Sequence, residues 1–281
     1  MQRQKRAAAI HDISGFGRCS LTVALPIISA AGIETSVIPT AVLSTHTGGL
    51  SGYTYRDLTE DLKPFADHWK SLGLTFDAIY SGFLGSFRQL DIVSEIFDEL
   101  KGDDTLILVD PVMADHGEMY RVFSRNFVSG MRALCKKADI ITPNMTEACF
   151  MLDMAYREPP YDEKYIEEIL RGLLSLGVKK AVLTGVSFDM DTLGAACIEA
   201  ETGRTDYVYR DRVEGFYHGT GDVFASVLLA ALMRDKTLPE AADIAVGFTA
   251  DSIKRTKAAG TDVRFGVNFE AGLYDLMKKL G

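Results

Sequence analysis

The run His218-Gly219-Thr220-Gly221-Asp222 stands directly before an apolar stretch, Val223–Met233. Glycines at 219 and 221 free the backbone to turn several N–H groups toward one point. Those groups then lie at a helix N-terminus, where unpaired donors and the helix dipole favour an anion. A carboxylate in the first turn beside such an anion hole suits one reaction. It removes the proton from a hydroxyl that attacks a phosphoryl group, while the amides hold the transferred charge. An aspartate of ordinary pKa, about 3.9, cannot pre-form an alkoxide, but it can accept the proton as the oxygen loses charge in the transition state. The same residues also read as a plain turn with an aspartate near a helix start, and for an isolated Gly-x-Gly-Asp that plainer reading prevails.

The elements that must position this run alternate along the chain. Arg6–His11, Ser36–Val42, Ala78–Ser81, Thr105–Val109, Ile140–Thr142 and Ala181–Thr184 are short and apolar, as strands buried on both faces of a parallel sheet are. Between them lie amphipathic stretches at Leu21–Ala31, Asp57–Leu72, Gln89–Lys101, Ser124–Lys136, Asn144–Leu152 and Glu163–Leu176. The alternation predicts βαβ units with right-handed crossovers. Gly194–Ala200 and Asp206–Arg210 then read as antiparallel strands, followed by helices over Asp222–Arg234, Leu238–Thr256 and Phe269–Leu280.

In open α/β sheets ligands bind beyond the carboxyl ends of the strands. Those ends carry His11-Asp12, Ser44-Thr45-His46-Thr47, Ser81-Gly82-Phe83, Asp110-Pro111, Thr142-Pro143-Asn144 and Thr184-Gly185. Any one of them could be a cap or a turn; so many polar ends on one edge point to a site. Asn144 followed by Glu147 also has the spacing of a capping box. Ser44–Tyr53, with Gly48, Gly49 and Gly52, reads as a lid that closes on ligand.

Composition narrows the partners. The chain has 281 residues, 47% of them hydrophobic and 25% charged, which is globular composition and enough to bury a large core. Thirty basic residues against 39 acidic ones leave a net charge of -9, which disfavours nucleic acid. Cys19, Cys135, Cys149 and Cys197 lack zinc-site spacing, and a reducing cytoplasm is the expected setting. The basic N-terminal run is followed by an apolar stretch too short for a signal segment, and no stretch is long enough to span a membrane. With no linker visible, residues 1–281 are expected to form one domain.

Gly219-Thr220-Gly221-Asp222 opening a long apolar helix resembles the signature of ribokinase-like small-molecule kinases. Asp110-Pro111-Val112-Met113 with Asp115, Thr142-Pro143-Asn144 with Glu147, and Ser44-Thr45-His46-Thr47 together resemble the pyridoxal kinase branch, in order and spacing from about Ala9 to Ser226. The resemblance implies a central, mostly parallel sheet flanked by helices on both faces. It implies ATP-dependent phosphorylation of the 5′-hydroxymethyl group of vitamin B6. It further implies Asp222 as catalytic base, Gly219, Thr220 and Gly221 as anion hole, and Asp110 near the ATP phosphates and metal. Asn144 and Glu147 would hold Mg²⁺ largely through water, Thr142, Thr184 and Gly185 would contact nucleotide, and Asp12, Ser14, Thr47 and Phe83 would line the acceptor pocket. Mg²⁺ keeps most of its waters, so an Asn/Glu pair is chemically reasonable. A homodimer and a monovalent cation near the nucleotide are also implied, and Asp115 with Tyr120 would sit in a flap near the phosphates.

Two positions depart from the branch. Asp12 stands where Ser is usual, and Phe83 where Tyr is frequent. An Asp there resembles the hydroxymethylpyrimidine kinases, which makes hydroxymethylpyrimidine the alternative acceptor. An Asp facing a pyridine nitrogen would favour the protonated ring. A different class, a nucleotide-binding oxidoreductase or binding module, is suggested by Gly15-Phe16-Gly17 after the first strand. That motif lacks its third glycine and its acidic partner, and it reads better as a turn lining the acceptor pocket. His46 and His218 are candidate contacts without a catalytic role.

Overall fold

The structure, a computed structural model, describes residues 3–281; Met1 and Gln2, which begin the basic N-terminal run, lie outside the described residues. The elements run β1 (Arg6–Ser14), α1 (Leu21–Ala30), β2 (Glu34–Leu43), β3 (Tyr55–Asp57), α2 (Thr59–Ser71), β4 (Ala78–Ser81), α3 (Phe87–Leu100), β5 (Leu106–Val109), β6 (Ala114–Asp115), β7 (Glu118–Met119), α4 (Asn126–Cys135), β8 (Ile140–Ile141), α5 (Met145–Met151), α6 (Glu163–Ser175), β9 (Lys180–Val186), β10 (Thr192–Glu199), β11 (Thr205–Asp211), α7 (Thr220–Met233), α8 (Leu238–Ala259) and α9 (Leu273–Leu280). One nine-stranded sheet has the order β11-β10-β9-β8-β5-β4-β1-β2-β3; β6 and β7 form a separate small hairpin. From β9 to β2 the pairings are parallel, and β3, β10 and β11 add antiparallel edges.

Period-two alternation sends neighbouring strand residues to opposite faces. Ala8, Ile10, Ile79, Ile107, Val109, Ile141 and Leu183 pack against α2 to α6. Ala7, Ala78, Tyr80, Leu108, Ile140 and Val182 pack against α1, α7, α8 and α9. Both faces are therefore dry, which is why these strands read as near-continuous apolar runs. Each fully buried Ile or Leu contributes roughly 1.5–3 kcal/mol.

The helices start where local chemistry allows. Ser86 caps α3 through the Gln89 amide, Asp162 caps α6 through the Tyr165 amide, and Thr237 with Glu240 makes a capping box for α8. Several predicted bounds shift. The last helix begins at Leu273 after a short 3-10 turn, and β8 ends at Ile141, one residue short of Thr142. The edge strand β3 and the β6–β7 hairpin were not predicted; each has only two or three residues, too few to show a period. Pro39 falls inside β2, where a missing N–H breaks the ladder, and the register to β1 shifts between His11 and Ile13. The Thr40 carbonyl accepts both the Leu58 amide and Gln89 Nε2, each at 3.1 Å.

Candidate active site

The α7 N-terminus lies over the carboxyl edge of the sheet. Gly219, its N-cap, has φ 74°, and a methyl group there would come within 2.0 Å of the Arg18 carbonyl oxygen. Only glycine meets both conditions. Gly221 differs from expectation: its φ is ordinary, and a Cβ would meet only Asp110 Oδ2, at 3.8 Å. Its contribution is open space above Asp110. Thr220 turns its hydroxyl back to the Tyr217 carbonyl at 3.3 Å. The first-turn amides of α7 have no partner within the helix and point outward.

Four carboxyl groups gather around this helix start. Asp222, half-buried, faces the Ser20 amide, which favours its charged form; burial, reinforced by Asp12, still pushes it up to about 7. The ordinary acidity expected from sequence is thus corrected, because desolvation disfavours the charged form. Asp110 follows β5 and accepts from Thr142 Oγ1 at 3.0 Å. Burial and then Asp222 push it, too, up to about 7. Glu147 is raised well above the carboxylate range by burial and by Asp110. Asp12 is raised by burial, although Ser20 Oγ at 2.6 Å and Ser14 Oγ at 3.1 Å both donate to it.

Asn144 and Glu147 form a true capping box at α5. Glu147 Oε2 accepts from the Asn144 amide at 2.9 Å, and Asn144 Oδ1 accepts from the Glu147 amide at 2.9 Å. Glu147 Oε1 takes the Met113 amide at 3.1 Å, and Asn144 Nδ2 donates to the Ala114 carbonyl at 2.8 Å. The box thus ties α5 to the β6–β7 hairpin. Thr184 is bridged to Asn144, its amide donating to the Pro143 carbonyl at 2.9 Å, and Gly185 follows with φ 77° at an irregularity between β9 and β10.

The residues expected on the acceptor side are less closely knit. Thr47 is exposed, and Phe83 packs against Phe123, 5.6 Å between ring centres; neither makes a side-chain hydrogen bond within the described residues. Gly15 and Phe16 spend their amides on the Leu43 and Ser44 carbonyls, so Gly15-Phe16-Gly17 is a turn against the end of β2 and not a pyrophosphate cradle. His46, buried, donates from Nε2 to the Arg264 carbonyl at 2.6 Å and accepts the Gly48 amide at Nδ1. That pairing fixes a neutral ring, consistent with a pKa lowered by burial. Rings then run from His46 to His218 (5.5 Å), Phe216 (4.9 Å) and His116 (5.4 Å), joining the Ser44–Tyr53 segment to the β6–β7 hairpin.

Several residues carry no sequence signal. Tyr55, on β3, feels both Asp57 and Asp12, and Tyr80 is a fully buried phenol near Asp110 and Asp222. Ser20 donates its hydroxyl to Asp12 and turns its amide toward Asp222. A cleft of about 560 Å³ lies between Asp211–Glu214 and Lys254, Lys257 and Ala258, at the far end of the loop that leads into α7.

A mostly parallel sheet whose strand ends gather carboxylates around a Gly-Thr-Gly-Asp helix start defines a ribokinase-like small-molecule kinase. Residues 28–266 match the family described as phosphomethylpyrimidine kinase. A Bacteroides thetaiotaomicron structure, provisionally named a phosphomethylpyrimidine kinase and crystallised with pyridoxal, is 39% identical, covers 98% of this chain and 96% of its own, and superposes with a TM-score of 0.92. The pyridoxal kinase of Lactobacillus plantarum is 31% identical over 98% of each chain, with a TM-score of 0.90. A Schizosaccharomyces pombe protein provisionally named a pyridoxal kinase is 30% identical over 209 residues, 70% of this chain and 58% of that protein. The chain belongs to this family, the vitamin B6 kinases of the ribokinase-like superfamily, and is a phosphotransferase acting on a hydroxyl group.

Proposed function

We propose that the protein transfers the γ-phosphoryl group of ATP to the 5′-hydroxymethyl oxygen of pyridoxal, pyridoxine or pyridoxamine. The observation that carries this is Asp222, a carboxyl of raised pKa, in the first turn of a helix whose free amides face Asp110 across open space at Gly221. As the new O–P bond forms and the bond to ADP breaks, the hydroxyl proton passes to Asp222. The amides at Gly219, Thr220 and Gly221 hold the charge on the transferring group. Asp12, fixed by Ser14 and Ser20, faces the acceptor pocket, where a carboxyl suits a ring nitrogen. Ser14, Thr47 and Phe83 complete that pocket in this reading. Thr142, Thr184 and Gly185 take the nucleotide's phosphate side, and the cleft beside Lys254 and Lys257 receives its base. Similarity to a protein crystallised with pyridoxal supports the B6 acceptor.

Mg²⁺ fits this edge through its waters. Both Glu147 oxygens and the Asn144 oxygen already accept amides, and no group of three or more His, Cys, Asp or Glu among the described residues could cage a metal directly. An ion that retains its waters can still hydrogen-bond through them to Asn144, Glu147 and the open Asp110 Oδ2. When bound, Mg²⁺ supplies positive charge to the phosphoryl oxygens. The same reading takes residues 1–281 as one kinase domain acting as a cytoplasmic homodimer.

ADP release with Mg-ATP and pyridoxal, pyridoxine, pyridoxamine or hydroxymethylpyrimidine tests the proposal. Release with a B6 vitamer, and not with ATP alone, is expected. Asp12, which stands where the hydroxymethylpyrimidine kinases also carry Asp, makes hydroxymethylpyrimidine the competing acceptor. Turnover confined to that compound would overturn the B6 reading while leaving the kinase class intact.

A further inference from the structure

Ser20 stands at the start of α1 in the position of an N-cap, the common employment of a serine there. It does not act as one: its side chain caps no amide of α1, and its backbone takes φ 55° and ψ -129°, a conformation L-residues rarely adopt. Its hydroxyl is turned instead to Asp12 Oδ1 at 2.6 Å. Its amide faces the Asp222 carboxylate, and its carbonyl accepts the Val23 and Ala24 amides, so only the carbonyl serves the helix. The residue is buried, and an isolated bridge to Ile13 fastens it to the end of β1. Its hydroxyl thus holds one carboxyl group while its amide faces a second, the two coming from opposite ends of the sequence.

We propose that Ser20 is a positioning residue that fixes the acceptor-binding Asp12 and the base Asp222 relative to one another, its unusual backbone being what lets one residue reach both. This rests on the kinase reading above. A hydroxyl that orients Asp12 acts on the acceptor and not on ATP. The backbone amide, which a side-chain change leaves in place, continues to face Asp222. The strain and the hydroxyl can therefore be separated by substitution. Ser20→Gly relieves the conformation, because glycine occupies positive φ freely, and removes the hydroxyl. Ser20→Ala removes the hydroxyl and keeps the strain.

Steady-state kinetics of wild type, Ser20→Ala and Ser20→Gly with Mg-ATP and pyridoxal decide the matter, with melting temperatures alongside. A hydrogen bond to a buried charged group makes a difference of about 10- to 100-fold. Both variants should lose kcat/KM for pyridoxal by that order, with KM for ATP within about 2-fold of wild type. Ser20→Gly should melt no lower than Ser20→Ala. In an Asp12→Ala background the Ser20→Gly change should cost less than about 3-fold, because the hydroxyl's partner is gone. A merely structural serine gives the opposite result, activity returning in Ser20→Gly as strain is relieved. Wild-type kcat/KM in Ser20→Gly overturns the inference and leaves the kinase reading standing. A wild-type protein that phosphorylates no B6 vitamer overturns that reading, and this inference with it.

Discussion

The two ends of the sheet use carboxylates in opposite ways. At the amino ends of the strands, Asp77 accepts the Arg6 amide at 2.6 Å and the Arg3 guanidinium at 2.9 Å, and Asp139 accepts the Ile107 amide at 2.9 Å and Lys179 Nζ at 2.7 Å. At the carboxyl ends, Asp12, Asp110, Glu147 and Asp222 meet hydroxyls and amides, and none forms an ion pair among the described residues. Burial works on Asp139 too, but Lys179, the Ile107 amide and Lys101 outweigh it and hold its carboxyl below the usual range. The other four are raised. One edge is neutralised from within and serves the fold. The other keeps acid chemistry uncompensated, ready for a proton or for a cation brought with a substrate.

The sharpest way to break this contrast is Asp222→Asn. It should lower kcat by about 10²–10⁴-fold, the usual range for general-base catalysis, with ATP affinity nearly unchanged because the Gly219–Gly221 amides survive. Stability should move the other way. The raised carboxyl of Asp222 contributes stability below its unfolded value near 4, and that contribution is lost as pH rises toward about 7. Asp222→Asn should therefore melt higher than wild type at pH 8, with no such gain at pH 4. A lower melting temperature at pH 8 would make Asp222 a structural group.

Next in size, replacing Asn144 and Glu147 together by Ala should raise the Mg²⁺ needed for half-maximal turnover by about 10-fold or more. The KM for pyridoxal should change little, and loss of the capping box should cost ~1 kcal/mol or somewhat more. Lost pyridoxal affinity at unchanged Mg²⁺ dependence would move the pair to the acceptor side.

Asp139→Asn is the control at the opposite edge. It should destabilise by about 1–2 kcal/mol at pH 7 through its lost amide and lysine partners, with kcat unchanged. Because its folded pKa is depressed, that stabilisation is present above the unfolded value near 4 and disappears as pH falls. Urea titrations of wild type and variant should therefore converge toward pH 2. A variant that stays equally weaker there would contradict the assignment. The smallest effect is expected in Ser44–Tyr53, where hydrogen exchange should slow on adding pyridoxal and ADP. His46 anchors one end to Arg264, while Gly49 and Gly52 take positive φ beyond it. Equal exchange with and without ligands would count against a lid.

Much of the fold was legible because its cause is local. Strands dry on both faces read as unbroken apolar runs, and Asn144 three residues before Glu147 announces its own box. The residues proposed for the nucleotide side share that legibility, since Gly219 to Asp222 and Asn144 to Glu147 each lie within one turn of helix. Those proposed for the acceptor side do not. His46 meets a carbonyl 218 positions away, and Ser20, bonded to Asp12, faces Asp222 only because α1 and α7 pack on the same face. Tyr55 lies on a three-residue edge strand with no period to read. The raised pKa of Asp222 was invisible for the same reason, since desolvation depends on everything packed around a group and not on its neighbours in sequence.

The central claim, that a half-buried acid at the start of α7 takes the proton in transfer to a B6 hydroxymethyl group, is tested most directly by the pH dependence of single-turnover phosphorylation of pyridoxal by wild type and Asp222→Asn. A base must be ionised to act, so the wild-type rate should climb about tenfold per pH unit below about 7 and level off above it. The residual rate of the variant should lack that limb. The same climb in both proteins, or a flat wild-type profile from pH 5.5 to 8.5, would contradict the account.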